Sequence, residues 1–285
     1  MKIFKQIILS AVFVLISAVS LSAQVEYTKA DSLIFEKYKD AFAGKQDLPL
    51  SALITETALF FRGTPYVSNT LEKTKNDERL TVNLRELDCT TLVENCIALS
   101  QTIKSGNASF ENYCSHLQQL RYRDGIVDGY SSRLHYSSDW MMENEKRNLF
   151  ENISQNLGGA KIIKTIDYMT THTSAYRQLK NNPEEVKKIK KNEKQLNKRG
   201  GWYVINKQNI ADIGKEIKNG DIILFSTTIK GLDFSHMGIA YSDNGRVTFI
   251  HASSTAKKVT IEKHSLSQYC LNSGRCNGIA LLRVK

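Results

Sequence analysis

The sequence predicts an α+β fold in which helices come first along the chain and an antiparallel sheet follows. Upstream of residue 200, apolar residues recur at three- and four-residue spacings, which is the period of a helix that packs on one side. From Gly220 onward, short runs rich in apolar and β-branched residues are separated by turn residues, a pattern typical of strands joined by short loops. Helices that precede strands, instead of alternating with them, indicate the α+β class.

The predicted helices are separated by residues that end helices. Gly63-Thr64-Pro65 follows the second helix and Ser105-Gly106 follows the third. Residues 122–140 are rich in Gly, Asp, Tyr and Ser and predict a long loop, a kind of segment that is often functional in compact domains. The pattern predicts helices over residues 28–44, 50–61, 89–103, 110–121, 148–157 and 183–197.

The C-terminal strands are short and follow one another closely. No internal repeat and no proline-rich linker divides the sequence, so we expect one domain over residues 24–285, with a helical and loop insertion at about 105–200. The predicted strands cover residues 221–225, 236–241, 246–253, 258–262 and 278–284.

The N-terminal residues have the features of a secretory signal peptide. Lys2 and Lys5 precede an apolar stretch from Ile7 to Leu21, and Ser22-Ala23 offers small residues for cleavage. The stretch is shorter than the ~20 residues that a membrane-spanning helix needs, although a retained N-terminal anchor is the alternative. We therefore expect residues 1–23 to be removed and the mature protein to be exported to the periplasm without a stable membrane span.

Much of the formal net charge of +10 lies in a lysine-rich stretch at residues 180–199. Its lysines surround a few apolar residues, as on the solvated face of a helix. Nucleic-acid binding is not expected, because aromatic residues are not interleaved with the lysines and an exported protein seldom meets such a partner. Attraction to an anionic cell-wall polymer is an open alternative. We expect the protein to be a monomer.

Cys89 is the first candidate for a catalytic residue. It follows Asp88, a residue type that caps helices, and precedes the helical run from Thr90 to Leu99. At the start of a helix, unpaired backbone N–H groups and the positive end of the helix dipole stabilise a thiolate, which is the nucleophilic form of cysteine. A free cysteine is also often a small buried residue, so this interpretation requires a base near the thiol.

Two histidines flank a predicted hairpin turn near the C-terminus. The segments that contain His236 and His251 are joined by Ser242-Asp243-Asn244-Gly245, a strong turn signal. A four-residue loop places His236 directly opposite His251, whereas a two-residue Asn244-Gly245 loop places the two diagonally. Either register puts both rings on one face of the sheet, with Cβ atoms about 5–8 Å apart. A three-residue loop would separate them.

Together, Cys89 and the two histidines match the pattern of a nucleophile, a base and a residue that orients the base. His236 has the small neighbours Gly238 and Ala240 on its face, which we expect to let the cysteine helix approach, so His236 is the expected base and His251 the orienting residue. Either histidine alone would more often be a structural residue. The sequence contains no zinc signature such as His-Glu-x-x-His, and we expect neither a metal nor another cofactor.

Six stretches between residues 61 and 253 carry a recognisable signature. They are residues 61–66 (FRGTPY), 84–94 (LRELDCTTLVE), 131–136 (SSRLHY), 139–140 (DW), 231–238 (GLDFSHMG) and 249–253 (FIHAS). In this order they resemble the NlpC/P60 superfamily of papain-like cysteine hydrolases, and more narrowly its DUF1460 branch of N-acetylmuramoyl-L-alanine amidase-like proteins.

The resemblance implies a papain-like fold with Cys89 on the central helix as nucleophile, His236 on the first core strand and His251 as the polar third member. It also implies periplasmic hydrolysis of the amide between the lactyl group of N-acetylmuramic acid and L-alanine, in peptidoglycan or in its (anhydro)muropeptide fragments. Tyr66 looks like the aromatic residue that helps to hold the oxyanion beside the nucleophile in this superfamily. The alternative for Tyr66 is a core tyrosine with a local hydrogen-bond partner.

The long loop supplies further residues suited to binding a glycopeptide. A cation, hydrogen-bond donors and flat apolar faces come from Arg133, His135, Tyr136 and Trp140. With Tyr66, Asp88 and Ser235, which lie in the matching stretches, they make up the predicted substrate-binding residues. The alternative is that Trp140 packs the loop onto the body of the protein and that Arg133 pairs with Asp128 or Asp139 at the surface.

Two other functions are open at this point. An endopeptidase with the same Cys-His machinery would cleave the bond between γ-D-glutamate and the diamino acid of the stem peptide. A non-catalytic cell-wall-binding module would bind peptidoglycan and release nothing from it.

The five cysteines leave their pairing open. In an exported chain, Cys270 could pair with Cys276 across a short flexible loop, and Cys96 could pair with Cys114. Cys89 would then be the unpaired thiol.

Overall fold

The computed structural model of the protein describes residues 25–72 and 78–285. The predicted signal peptide, residues 1–23, lies outside the described residues. Within the described part of the chain, no helix is long and apolar enough to span a membrane.

Eight α-helices and ten strands are found in the described residues. The helices are α1 (Lys29–Ala41), α2 (Leu50–Phe60), α3 (Cys89–Lys104), α4 (Phe110–Arg121), α5 (Ser137–Lys146), α6 (Tyr168–Thr171), α7 (Pro183–Lys198) and α8 (Leu266–Asn272). The strands are β1 (Val25–Glu26), β2 (Leu80–Thr81), β3 (Phe150–Asn152), β4 (Ala160–Ile162), β5 (Trp202–Asn206), β6 (Ile222–Thr227), β7 (Phe234–Asp243), β8 (Arg246–Ser253), β9 (Lys258–Ile261) and β10 (Cys276–Val284).

The main sheet is antiparallel and is built mostly from the C-terminal part of the chain. Its strand order is β4-β5-β10-β6-β7-β8-β9, and β3 pairs with the C-terminal end of β10. The two-residue strands β1 and β2 form a separate parallel pair. The prediction of helices followed by an antiparallel sheet is therefore confirmed.

The sheet has an apolar core on each side because successive residues of its buried strands, which point to opposite faces, are both apolar. On one side, Leu224, Met237 and Ile239 pack with the N-terminal helices, including α3. On the other side, Phe225 and Phe249 belong to a second core with α8. His236 and His251, the two histidines of the predicted site, occupy strand positions whose side chains point to this second side.

Helix α3 is capped at its start and buried along most of its length. The Asp88 carboxylate accepts a hydrogen bond from the Thr91 backbone N–H at 2.8 Å, and the Thr91 hydroxyl accepts one from the Asp88 N–H at 2.9 Å. This reciprocal capping fixes the first turn, and with it the position of Cys89.

The prediction of a helix over residues 148–157 is wrong. Residues Phe150–Asn152 form β3, paired with β10 through the register Leu282↔Asn152, and residues 153–158 form turns. Leu149, Ile153 and Leu157 do recur at helical spacing, but pairing with β10 provides backbone hydrogen bonds that outweigh this local helical pattern.

The predicted loop at residues 122–140 is also partly wrong, because helix α5 begins at Ser137. Strands β4 and β5 and helices α6 and α8 were not predicted. Strand β4 and helix α6 have three and four residues, and helix α8 has seven, so these elements are too short to show a clear periodicity.

One ion pair lies wholly inside the helical layer. Glu94 on α3 accepts a hydrogen bond from Arg121 Nε on α4 at 2.7 Å, and both side chains are no more than 3% exposed. Arg121 also donates to the carbonyl of Thr81 at 2.7 Å. The pair ties α4 and β2 to the helix that carries Cys89.

We expect Glu94→Gln to lower the free energy of unfolding by about 3–5 kcal/mol, because it leaves the buried Arg121 charge without a counter-ion. Urea unfolding followed by circular dichroism measures the change. The matched control is Glu36→Gln, which breaks the exposed pair with Lys39 and should cost less than about 1 kcal/mol. Equal losses for the two variants would contradict the prediction.

Candidate active site

Cys89 is the first residue of α3 and lies near Met237, the fourth residue of strand β7. Its thiol accepts hydrogen bonds from the backbone N–H of Met237 on β7 and from Thr90. Met237 follows His236 directly, so the structure brings the thiol to the strand position next to that histidine. Among the five cysteines, all of which are free thiols, Cys89 is half-buried and the other four are buried.

The two histidines lie diagonally across the β7–β8 hairpin. Asp243 pairs with Arg246, which leaves a two-residue turn of Asn244-Gly245. His236 Nε2 and His251 Nδ1 are 2.8 Å apart, a hydrogen-bond distance. Of the two registers left open by the sequence, the diagonal one is therefore present.

Gly238 makes this contact between the histidines sterically possible. A Cβ atom built on Gly238 would lie 2.8 Å from the Phe249 ring and 3.5 Å from the Cβ of His251. The expectation that small residues on this face admit the cysteine helix is wrong. The apolar side chains of helix α3 pack on the opposite face with Met237 and Ile239, and Gly238 makes room for side chains of β8, whereas Cys89 lies at the very start of the helix.

Three aromatic rings enclose the histidine pair. Phe225, Phe249 and Tyr269 have ring centroids 4.6–6.4 Å from the ring of His236 or His251. Tyr269 lies on α8, a helix that the sequence analysis missed. Its signal was present, since Ser265 and Gln268 form a capping box at the start of α8.

The ionisation states of the site are set mainly by burial. Burial, followed by the charge of Asp88, raises the pKa of the Cys89 thiol to about 11, although the hydrogen bonds from Met237 and Thr90 act in the opposite direction. The expected resting thiolate is therefore not the state of the free protein. Cys89 is a thiol at neutral pH and needs a base to remove its proton.

Both imidazoles are neutral at neutral pH and can therefore accept a proton. Burial, followed by the charge of His251, lowers the pKa of His236 to about 3. Burial lowers the pKa of His251 to about 4, with Glu262 acting in the opposite direction. Because the thiol and the imidazoles are all uncharged at neutral pH, a reaction between them would proceed by proton transfer during attack and not from a preformed ion pair.

These shifts predict that acid destabilises the fold through the two histidines. In the unfolded chain both have a pKa of about 6.5, so below that pH the unfolded state binds more protons and stability is lost as pH falls. We expect a loss on the order of several kcal/mol between about pH 6.5 and about pH 4, measured by urea unfolding. The double variant His236→Gln/His251→Gln should lose the part of the slope that these two histidines contribute, while His135, whose pKa is also lowered by burial to about 3, keeps its own part, and an unchanged slope would contradict the assignment.

Tyr66 pairs with Leu87, two residues before Cys89, and Ser235 directly precedes His236. Tyr66 is half-buried, and its pKa is raised by burial and then by the charges of Cys89 and Asp88. Ser235 is exposed at a β-bulge immediately before His236. Asp88 is the cap of α3, so its hydrogen bonds go to Thr91.

The loop residues are separated by the structure into two groups. His135 and Tyr136 line a cavity of about 270 Å³ together with Tyr130, Tyr176 and Leu232. His135 is half-buried, with Nε2 2.8 Å from the carbonyl oxygen of Tyr130.

The other two loop residues do not match the expected substrate wall. Trp140 is 1% exposed and packs on Phe150, so it joins the loop to the core. Arg133 is also buried, and its charge is balanced by Glu72 and Glu78 at 2.8 and 3.1 Å, instead of by Asp128 or Asp139. A buried arginine with two carboxylate partners is a structural residue of the loop.

Glu262 is a site residue that sequence reasoning missed. Its Oε2 lies 3.5 Å from His251 Nε2, on the side of the imidazole that faces away from His236. The alternation of side chains along a strand could have indicated it. His251 pairs with Thr260, and Glu262, two residues further on, points to the same face of the sheet as Thr260. Among the residues the structure describes, no group of three or more His, Cys, Asp or Glu side chains is arranged to hold a metal ion.

The chain is similar to one protein family over most of its length. The family model described as AmiA-like, N-acetylmuramoyl-L-alanine amidase-like, matches residues 56–277. No curated protein matches the chain.

Three solved structures illustrate the similarity. An N-acetylmuramoyl-L-alanine amidase from Bacteroides uniformis is 37% identical with a TM-score of 0.78, covering 83% of this chain and 99% of its own. A Bacteroides fragilis protein described as a candidate xylanase is 38% identical with a TM-score of 0.76, and the match covers 81% of this chain and 100% of that protein. A Legionella pneumophila protein of the DUF1460 family is 23% identical with a TM-score of 0.67, covering 90% and 94%, and shares the fold.

Proposed function

The chain belongs to the AmiA-like family of N-acetylmuramoyl-L-alanine amidase-like proteins, and from this premise we propose that it is a cysteine amidase of the cell wall. Its substrate is the amide between the lactyl group of N-acetylmuramic acid and L-alanine, in peptidoglycan or in (anhydro)muropeptide fragments. Two observations support the proposal: the Cys89 thiol interacts with the backbone of Met237, the residue that follows His236 on β7, and His236 is hydrogen-bonded to His251.

In the proposed reaction, Cys89 attacks the lactyl carbonyl while His236 takes the thiol proton. The tetrahedral intermediate collapses when His236 returns that proton to the departing amine of L-alanine, which leaves a muramoyl thioester on Cys89. A water molecule, deprotonated by His236, then hydrolyses the thioester and frees the thiol. His251 keeps the imidazole of His236 in the orientation for these transfers.

The negative charge of the intermediate needs hydrogen-bond donors near Cys89. The backbone N–H groups at the start of α3 point away from the helix and supply such donors, as do hydroxyl groups close to the thiol. Tyr66 is our candidate for the second kind, because its backbone pairs with Leu87, two residues before Cys89, and the charge of Cys89 raises the pKa of its phenol.

The stem peptide and sugar are proposed to bind beside the strand start that carries Ser235. We propose a second binding surface in the cavity lined by His135 and Tyr136, whose lining does not include Ser235 or Cys89 but presents aromatic faces and polar groups that suit a sugar or a short peptide. We propose that the chain is a member of the papain-like NlpC/P60 superfamily, with Cys89, His236 and His251 as its catalytic residues. We propose that residues 24–285 are one such catalytic domain, which acts as a monomer on its cell-wall substrate.

The proposed substrate lies outside the cytoplasm, which agrees with the signal peptide predicted for residues 1–23. We therefore propose a periplasmic location. The description of the chain's family, N-acetylmuramoyl-L-alanine amidase-like, names an amide bond of the cell wall, which supports this location.

A digest of defined muropeptides, analysed by mass spectrometry, tests the function. An amidase releases stem peptides that begin with L-alanine and leaves the sugar intact, whereas an endopeptidase leaves a shortened stem attached to the sugar. A binding module releases nothing. The same protein incubated with xylan tests the activity named for the Bacteroides fragilis structure, and release of xylose oligomers there would contradict the proposal.

A further inference from the structure

The proposed pair of histidines is extended by a carboxylate on the neighbouring strand. His251 Nδ1 is occupied by His236, and His251 Nε2 points to Glu262 Oε2 at 3.5 Å. His251 is 2% exposed, and within the described residues its Nε2 atom has no hydrogen-bond partner at shorter range. Glu262 is therefore the group that can satisfy this buried nitrogen by a small adjustment of either side chain.

Glu262 is itself held in place on its outer side. Its Oε1 accepts hydrogen bonds from the backbone N–H of His264 at 3.0 Å and from the ring Nδ1 of the same residue at 2.8 Å. Burial raises the pKa of Glu262, but the bonds from His264 and the charge of His251 outweigh burial and lower it overall. Glu262 is thus a carboxylate at neutral pH.

A carboxylate can only accept hydrogen bonds, and this decides where the protons lie along the chain of rings. If His251 turns Nε2 towards a carboxylate, that nitrogen carries the proton and Nδ1 is left as an acceptor. The 2.8 Å contact then requires His236 to donate from Nε2. In that tautomer, Nδ1 of His236 has a free lone pair.

We propose that Glu262 is a positioning residue that selects the tautomer of His251 and, through it, the tautomer of His236, so that Nδ1 of His236 is the nitrogen that takes the Cys89 proton. The inference rests on the proposed function only in naming His236 as the base. With no carboxylate at position 262, the opposite arrangement becomes available: His251 donates from Nδ1, His236 accepts at Nε2, and Nδ1 of His236 carries a proton and cannot act as a base.

The tautomers can be read directly from long-range ¹H–¹⁵N correlations of protein labelled with [¹⁵N]histidine, assigned with single His→Gln variants. In wild type at neutral pH, the proposal predicts protonated Nε2 and unprotonated Nδ1 in both His236 and His251. Protonated Nδ1 on either ring would overturn it. This measurement needs no variant at position 262, so it decides the question even if such variants fold poorly.

Glu262→Gln provides the second arm, because an amide can donate its N–H to His251 Nε2 and reverse both tautomers. We expect the rate of Cys89 alkylation by iodoacetamide to fall at neutral pH, and kcat for muropeptides to fall by about 10²- to 10⁴-fold, with KM changed less than about twofold. Glu262→Asp should restore part of the rate, because it keeps an acceptor. Asp243→Asn, which removes an exposed carboxylate from the same sheet, is the matched control and should change neither rate nor tautomer.

Unchanged tautomers and alkylation in Glu262→Gln would overturn the proposal. Because the NMR and alkylation measurements use no cell-wall substrate, they separate a failure of this inference from a failure of the proposed amidase function. If the tautomers are as stated but muropeptides are not cleaved, only the substrate assignment fails.

Discussion

Cys89→Ser will lower kcat for muropeptide hydrolysis by at least about 10³-fold, with KM nearly unchanged, because the substitution removes the attacking atom and leaves the binding surface intact. A serine hydroxyl has nearly the shape of the thiol, but it is a much poorer nucleophile with only a neutral imidazole as base. The side chain is half-buried, so the hydroxyl can be solvated and the fold should keep its stability. Release of L-alanine stem peptides, followed by liquid chromatography, measures the rate.

The matched control is Cys96→Ala, which removes a thiol two turns further along the same helix. Cys96 is fully buried, so we expect a loss of stability of about 1–2 kcal/mol and hydrolysis within about twofold of wild type. If Cys89→Ser kept more than a tenth of the wild-type rate, Cys89 would not be the nucleophile. A metal-activated water or another side chain would then have to do its work.

His236→Gln is expected to have the second-largest effect, a fall of about 10²- to 10⁴-fold in kcat, because it removes the group that moves the proton in both halves of the reaction. The pKa of the Cys89 thiol is about 11, so very little thiolate forms at neutral pH without a base. In the variant, alkylation of Cys89 should therefore become about tenfold faster per pH unit up to that pKa, since only the thiolate reacts. Wild type should react faster than the variant at neutral pH.

His172→Gln is the control for this variant, since His172 is exposed and lies on another element. We expect it to match wild type in hydrolysis and in the pH dependence of alkylation. Identical alkylation profiles for His236→Gln and wild type would show that His236 does not serve the thiol, even if hydrolysis were lost for structural reasons.

Local sequence signals were sufficient where an element carries its own pattern. The helix at residues 110–121 and the strand at residues 246–253 have the predicted bounds, because one has regular apolar spacing and the other follows an Asn-Gly turn. The same turn limited the placement of His236 and His251 to two registers on one face. The structure selected between them through the pairing of Asp243 with Arg246.

Features that depend on distant parts of the chain were not predictable in this way. Phe150 lies in a strand because the edge of β10 is there to receive it, and nothing local specifies that edge. Trp140 and Arg133 have side chains suited to a ligand, but their burial follows from the positions of Phe150, Glu72 and Glu78 in the folded protein. The raised pKa of Cys89 likewise comes from tertiary burial, which opposes the effect of the helix start.

Reversible modification of one thiol tests the central claim most directly. Methyl methanethiosulfonate adds only an S–CH₃ group, and peptide mapping reports which of the five cysteines carries it. We predict that the half-buried Cys89 reacts first, that muropeptide hydrolysis falls in proportion to its modification, and that dithiothreitol restores both thiol and activity. Hydrolysis that continues when Cys89 is fully modified would contradict the account.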